Sequence, residues 1–155
     1  MGRLVVIRHA EAGQRKQWSG DDRLRPLTAE GHRQAVGLIG LLAALPLTEI
    51  RSSPYVRCRQ TVEPLARTLS LPVVDDESLA EGGSLDELLG LAARSAGACW
   101  AACTHGDVVH DVLRHLRANG KVGEDGAGDA KGGSWLLELE RSGVTRARYL
   151  PPPAV

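Results

Sequence analysis

Four side chains in this chain are of the types that handle a small, highly charged anion: Arg8, His9, Arg57 and His105. Arg8 and His9 follow directly on the apolar run Leu4–Ile7. His105 closes the apolar stretch "ACWAACTH", and Arg57 lies in "SSPYVRCRQT", just beyond a Ser-Pro pair. Guanidinium groups match the oxygens of a phosphoryl group in two-point fashion and neutralise the charge that grows during its transfer. A neutral imidazole can attack phosphorus and become a phosphohistidine, which splits one difficult displacement into two easier ones. A second imidazole, protonated, can stabilise the equatorial oxygens. Two arginines and a histidinium supply that charge without a metal ion, so no metal and no other cofactor is expected. Taken singly, each residue has a plain alternative: Arg8 and His9 as solvated charges at a strand end, Arg57 as a helix-surface arginine like Arg59.

What argues against the plain readings is where the elements put these residues. Leu4–Ile7 reads as a short buried strand. Thr28 is a natural N-cap for a helix that runs to about Leu45, where Pro46 stops it. "LTEIRSS" is a second short strand, followed by a helix with Ser53 as N-cap and Pro54 at its first position; Pro64 should bend or interrupt that helix. "LPVVDD" is a third strand. Ser84 and Glu87 form a capping box ahead of the next helix. "ACWAACTH" is a fourth strand, and "GDVVHDVLRHLRANG" is a helix closed by Gly120. "GGSWLLELE" and "GVTRARYL" form a final strand pair, and "PPP" a stiff extended tail. The alternation predicts an α/β fold, a three-layer α/β/α sandwich around a mostly parallel sheet to which the closing pair adds an antiparallel member. Ligands of such sheets bind outside the carboxyl ends of the strands. Arg8–His9, Ser52–Ser53 with Arg57, and Thr104–His105 all fall at that edge, beside helix N-termini that favour anions.

At this point the residues match a family. "LVVIRHAEAG", "SSPYVRCRQT", "LAEGG" and "CTHGD" resemble, in that order, the signatures of the histidine phosphatase (phosphoglycerate mutase-like) superfamily, over roughly residues 4 to 150. The resemblance implies a phosphate pocket of Arg8, Arg57 and His105, with His9 as the phosphorylated nucleophile. The short chain looks most like the SixA-type phosphohistidine phosphatases. The stretch "WSGDDRLRPLTAEGHRQA" is also similar to the phosphatase domain that follows a Nudix domain in some actinobacterial nucleotide-cleansing proteins. Two positions depart from the family pattern. The usual glycine after the nucleophile is Ala10, where small size is the need. The asparagine often found six positions beyond the nucleophile in the mutase branch falls on Arg15, which leaves hydrolysis as the simpler reaction. Glu81 is the candidate proton donor, useful for an alkoxide leaving group and less so for the imidazole of a phosphohistidine.

Composition sets the frame. The 155 residues read as a single domain, 1–155, with a formal net charge of zero. Residues 1–70 hold 11 Lys/Arg against 6 Asp/Glu, and residues 71–155 hold 8 against 13. The basic first half suits an anionic ligand but is too weak a bias for a nucleic-acid surface. Cys58, Cys99 and Cys103 form no CxxC pair, and Cys99 and Cys103 read as small core residues in a reducing compartment. With no run of transmembrane length, the expected setting is the cytoplasm, with no membrane partner. His110 and His115 read as helix-surface residues; at five-residue spacing they share no helical face with His105, so a zinc cluster is not expected. Either Asp22, Arg23 and Arg25 border the pocket from the first connection, or Asp22 and Arg23 simply hold that loop by pairing. "GAGDAKGG" lacks the order of a nucleotide loop, and the six glycines from Asn119 to Gly133 predict a flexible loop.

The sequence thus predicts a metal-independent phosphatase, monomeric or homodimeric, acting on a phosphorylated protein or a small phosphorylated substrate. A phosphohistidine on a protein is the first choice; sugar phosphates or nucleotides come next. A phosphate-binding module without turnover is the rival from another class. A NAD- or ATP-binding domain is disfavoured by the lack of a glycine fingerprint after the first strand.

Overall fold

Side chains that alternate along the first strand, β1 (Gly2–Arg8), divide the interior in two. Leu4 and Val6 face one cluster of buried residues, while Val5 and Ile7 face the other. The computed structural model describes residues 2–94, 97–122 and 128–155. The remaining strands are β2 (Glu49–Ser52), β3 (Val73–Asp75), β4 (Cys99–Thr104), β5 (Ser134–Glu140) and β6 (Gly143–Leu150). They form one six-stranded sheet in the order β3-β2-β4-β1-β5-β6. β1, β4, β2 and β3 run parallel, whereas β5 pairs antiparallel with β1 and β6 antiparallel with β5.

The helices α1 (Ala29–Leu42) and α2 (Val56–Leu69) cover one face. Leu38 and Leu42 of α1 and Val62 and Leu65 of α2 pack there on Val5, Ile7, Ile50 and Ala101. The helices α3 (Leu85–Arg94) and α4 (Gly106–Ala118) cover the other, with Leu88, Leu91, Val109, Val112 and Leu116 against Leu4, Val6, Ala102 and Leu137. This is the expected three-layer sandwich. Each fully buried leucine contributes about 2 kcal/mol in removing its side chain from water.

Local signals decide the element ends. Thr28 Oγ1 accepts from the Gly31 N–H at 3.1 Å and caps α1. Ser84 Oγ accepts from the Glu87 N–H at 3.1 Å, one half of the capping box ahead of α3. The start of α2 differs from expectation. The cap position is Tyr55, with no side-chain cap bond, and Ser53 turns its hydroxyl toward His105 instead. α2 also runs through Pro64 without a break, as a helix can when packing along one face outweighs one missing hydrogen bond. The terminal prolines are not free of the body: Pro153 lies against α1 at Gly37, where a Cβ would come within 2.6 Å of it. Residues 123–127, part of the glycine-rich stretch expected to be a flexible loop, lie outside the described residues. No helix among the described residues is long and apolar enough to cross a membrane.

Candidate active site

The carboxyl ends of β1 and β4 lie side by side, with Arg8 paired to Thr104 in the ladder. Backbone hydrogen bonds fasten this end on both sides. The His9 N–H donates to Thr104 O at 3.1 Å, the Arg8 N–H donates to Gly133 O at 3.0 Å, and the Gly132 N–H reaches both Arg8 O and His9 O at 3.1 Å. Past the strand ends opens a cleft of about 280 Å³, lined by Arg8, His9, Arg57, Glu81 and His105 together with Arg15, Arg25, Gly106, Asp107, His110 and Lys131. All five side chains singled out in the sequence therefore face one space. It continues into an outer cavity of about 470 Å³ that shares Arg15, Glu81 and Asp107 and adds Asp22, Tyr55 and Gly82. A larger hollow of about 800 Å³, bordered by Arg3, Lys121, Arg146 and Arg148, contains no histidine.

His9 is buried, and its Nδ1 lies 2.8 Å from Ala10 O. A carbonyl only accepts, so Nδ1 carries the proton and the lone pair sits on Nε2. Burial, with added repulsion from His105, Arg57 and Arg8, pulls its pKa down to about 3 against the hydrogen bond to Ala10. The ring is thus neutral at pH 7, the form that can attack phosphorus. Ala10, where the family pattern has glycine, is fully buried, and its N–H donates to Thr61 Oγ1 at 2.9 Å.

His105 stands edge-on to His9 with ring centroids 5.5 Å apart, and edge-on to Tyr55 at 4.6 Å. Its Nε2 lies 2.9 Å from Ser53 Oγ and 3.5 Å from Cys58 Sγ. Cys58, Cys99 and Cys103 are free and buried, and burial pushes the Cys99 and Cys103 thiols up, as suits core residues.

Arg57 is 1% exposed, an unusual state for an arginine. Its Nη1 donates to Asp22 O at 2.8 Å, and its Nη2 reaches Asp22 Oδ2 at 3.0 Å and Glu81 Oε2 at 3.1 Å. The Tyr55 ring lies beneath its guanidinium at 4.9 Å. Arg59, one turn-fraction further on, points away and pairs with Asp75. Arg8 Nη1 donates to Asp129 O at 2.7 Å, and a Cβ on Gly106 would come within 2.6 Å of the Arg8 guanidinium. Gly106 is therefore glycine because Arg8 lies across it.

Among the described residues, three buried polar atoms of this cleft have no hydrogen-bond partner: Arg8 Nε, Arg57 Nε and His105 Nδ1. Leaving such a group unpaired costs about 1–3 kcal/mol each, so their gathering around one neutral imidazole marks a place for an acceptor.

The first connection contributes more than its sequence suggested. Asp22 accepts from Arg25 Nε at 2.9 Å as well as from Arg57. Burial raises its carboxyl, but the hydrogen bonds from Arg25 and Arg57 outweigh that and hold it below the ordinary carboxylate value. Arg25, 8% exposed, also donates to Ala12 O at 2.7 Å, tying the segment after His9 to Asp22. Arg23 instead pairs with Glu77 at 2.9 Å, outside the cleft. Glu81 accepts from Arg57 on one oxygen and from Arg15 on the other. His110, read as a helix-surface residue, lines the cleft, with its Nε2 2.6 Å from Asp129 Oδ2. Among the described residues no three His, Cys, Asp or Glu side chains gather to hold a metal ion.

The sequence model of the histidine phosphatase superfamily (branch 1) matches residues 4–89, more than half of the chain. The chain belongs to this superfamily, and its sheet and helices have the phosphoglycerate mutase-like fold. An 8-oxo-(d)GTP phosphatase of Mycolicibacterium smegmatis is 34% identical over 97% of this chain and 48% of its own length. The chain thus spans about half of that relative. A structure assigned as phosphohistidine phosphatase SixA from Nakamurella multipartitia is 28% identical, covers 99% of this chain and 97% of its own, and superposes with a TM-score of 0.69. The protein histidine phosphatase SixA complexed with tungstate shares the fold at 20% identity, covering 98% of this chain and 96% of its own, with a TM-score of 0.74.

Proposed function

We propose that residues 1–155 act as one catalytic domain that hydrolyses a phosphoryl group through a phosphohistidine on His9, without a metal ion. The observation that carries this reading is the neutral His9 ring set among the unpaired Arg8 Nε, Arg57 Nε and His105 Nδ1. His9 Nε2 attacks phosphorus. Arg8, Arg57 and His105 hold the phosphoryl oxygens, whose charge they neutralise as the bond to the leaving group breaks. Glu81, between Arg57 and Arg15, completes the wall of the pocket. Water then cleaves the N–P bond and returns His9 to its starting state. Free, buried cysteines suit a reducing compartment, so the cytoplasm is the proposed location.

For the substrate, a phosphohistidine on a protein is the first reading, supported by the likeness to SixA over 99% of the chain. A nucleotide phosphate is the second, supported by the 34% identity to the 8-oxo-(d)GTP phosphatase. A substrate panel run in EDTA, with a phosphohistidine peptide, sugar phosphates and nucleotides, separates them by relative kcat/KM. Loss of all turnover in EDTA would sink the metal-independent mechanism. Stoichiometric phosphate binding with no hydrolysis of any substrate would favour a binding module instead.

A further inference from the structure

Arg8 can grip a phosphoryl group at two points only if one edge of its guanidinium meets the oxygens while the rest is held. Its Nη1 donates to Asp129 O at 2.7 Å, its Nε has no partner among the described residues, and the group lies across Gly106. The hold at Nη1 thus leaves the edge of Nε and Nη2 for an acceptor. What fixes Asp129 therefore bears on how Arg8 is aimed. Its neighbours in the chain are tied to the sheet: the Trp135 Nε1–H donates to Gly128 O at 2.8 Å, and the Ala130 N–H donates to the Tyr149 hydroxyl at 3.3 Å. Asp129 itself is tied to the helix side, with Oδ2 2.6 Å from Nε2 of His110 on α4. A carboxylate oxygen accepts, so the ring donates from Nε2. One residue thus takes the imidazole on its carboxylate and the arginine on its carbonyl.

We propose that His110 and Asp129 form a latch that positions Arg8. The His110 ring fixes the Asp129 carboxylate, and the Asp129 carbonyl then holds Nη1 so that the Nε edge faces the phosphoryl oxygens. This rests on the reading of Arg8 as a phosphoryl ligand given above. Both residues act through Arg8 and are positioning residues. A guanidinium released at Nη1 would turn through more orientations, and the two-point match would hold for less of the time. The phosphoryl group is common to every substrate, so the loss has one size whatever the leaving group.

The test combines calorimetric affinity for inorganic phosphate with kcat/KM on p-nitrophenyl phosphate and phenyl phosphate. It compares wild type with His110→Ala, His110→Gln, Asp129→Ala and the double alanine variant. Both side chains are about half exposed, so these changes leave the core intact. His110→Ala, and Asp129→Ala with its carbonyl retained, are each expected to weaken phosphate binding roughly tenfold. Each should also lower kcat/KM on both esters by one common factor of at least that size. The amide of His110→Gln can still donate to Asp129 and should recover most of the loss. The double variant should lose no more than either single one. Additive losses, or a loss that changes with the leaving group, overturn the latch. Acid-quench trapping of phosphoenzyme on wild type tests the covalent reading separately. Phosphoenzyme together with unchanged phosphate affinity in His110→Ala sinks the latch alone; weakened affinity with no phosphoenzyme upholds the latch and sinks the covalent step.

Discussion

His9 follows β1 and His105 follows β4, adjacent parallel strands whose last residues, Arg8 and Thr104, are ladder partners. The two rings sit 5.5 Å apart, yet their surroundings differ. His9 gives its Nδ1 proton to a backbone carbonyl and is driven neutral by burial and by the cations around it. His105 turns Nε2 to a hydroxyl and a thiol and keeps a buried Nδ1 unpaired. Equivalent places in the sheet thus leave one imidazole with its lone pair on Nε2 and the other with a buried Nδ1 that has no partner. The strand ends provide proximity, and the hydrogen bonds divide the labour.

The sharpest way to break this contrast is His9→Ala. It should lower turnover of an aryl phosphate by about 10⁴-fold or more and remove trapped phosphoenzyme; an active variant with phosphoenzyme elsewhere would end the assignment. His105→Asn keeps a polar group beside Ser53 but removes the ring nitrogen left unpaired in the cleft, so turnover should fall about 10²–10³-fold while phosphoenzyme still forms on His9. The acid limb of stability sharpens the same point. Folded His9, at about 3, binds fewer protons than unfolded His9 at 6.5 across the interval between them. Stability therefore rises with pH through that window, and is lost on acidification, by up to about 1.4 kcal/mol per pH unit from this group. Denaturant melts at pH 7, 5 and 4 should show a shallower acid limb in His9→Gln than in wild type; equal limbs would contradict a neutral His9. The smallest effect expected is that of Asp22→Asn, which weakens one charge-assisted hydrogen bond to Arg57 and should lower kcat/KM roughly tenfold. A silent Asp22→Asn variant would mean that Tyr55 and Glu81 position Arg57 unaided.

Much of this was legible in the chain. Apolar runs ending in Arg8–His9 and in His105 announced their strands, and the alternation of elements put both ends on one edge. The antiparallel closing pair was visible in "GGSWLLELE" and "GVTRARYL". What escaped was set by tertiary contact. Asp22 joins Arg57 across 35 positions, a pairing that no local spacing encodes, although its three-residue step to Arg25 was a usable hint. His110, read as a helix-surface residue, is one, with its side chain 51% exposed on α4. That its face also borders the cleft follows from where α4 starts, directly after β4. Ser53 carries a good cap signal, and its Oγ does accept from the Tyr55 N–H at 3.3 Å, but it also meets His105 Nε2 and the helix begins only at Val56.

The Arg8 guanidinium lying over Gly106 has one more consequence. It makes the widths of two distant segments a single variable. A methyl group at position 106 would push the end of the arginine from its seat. Anyone reshaping this enzyme for new substrates can vary the outer rim around Tyr55 and Gly82 without touching that seat, whereas a change at position 106 also moves the guanidinium of position 8.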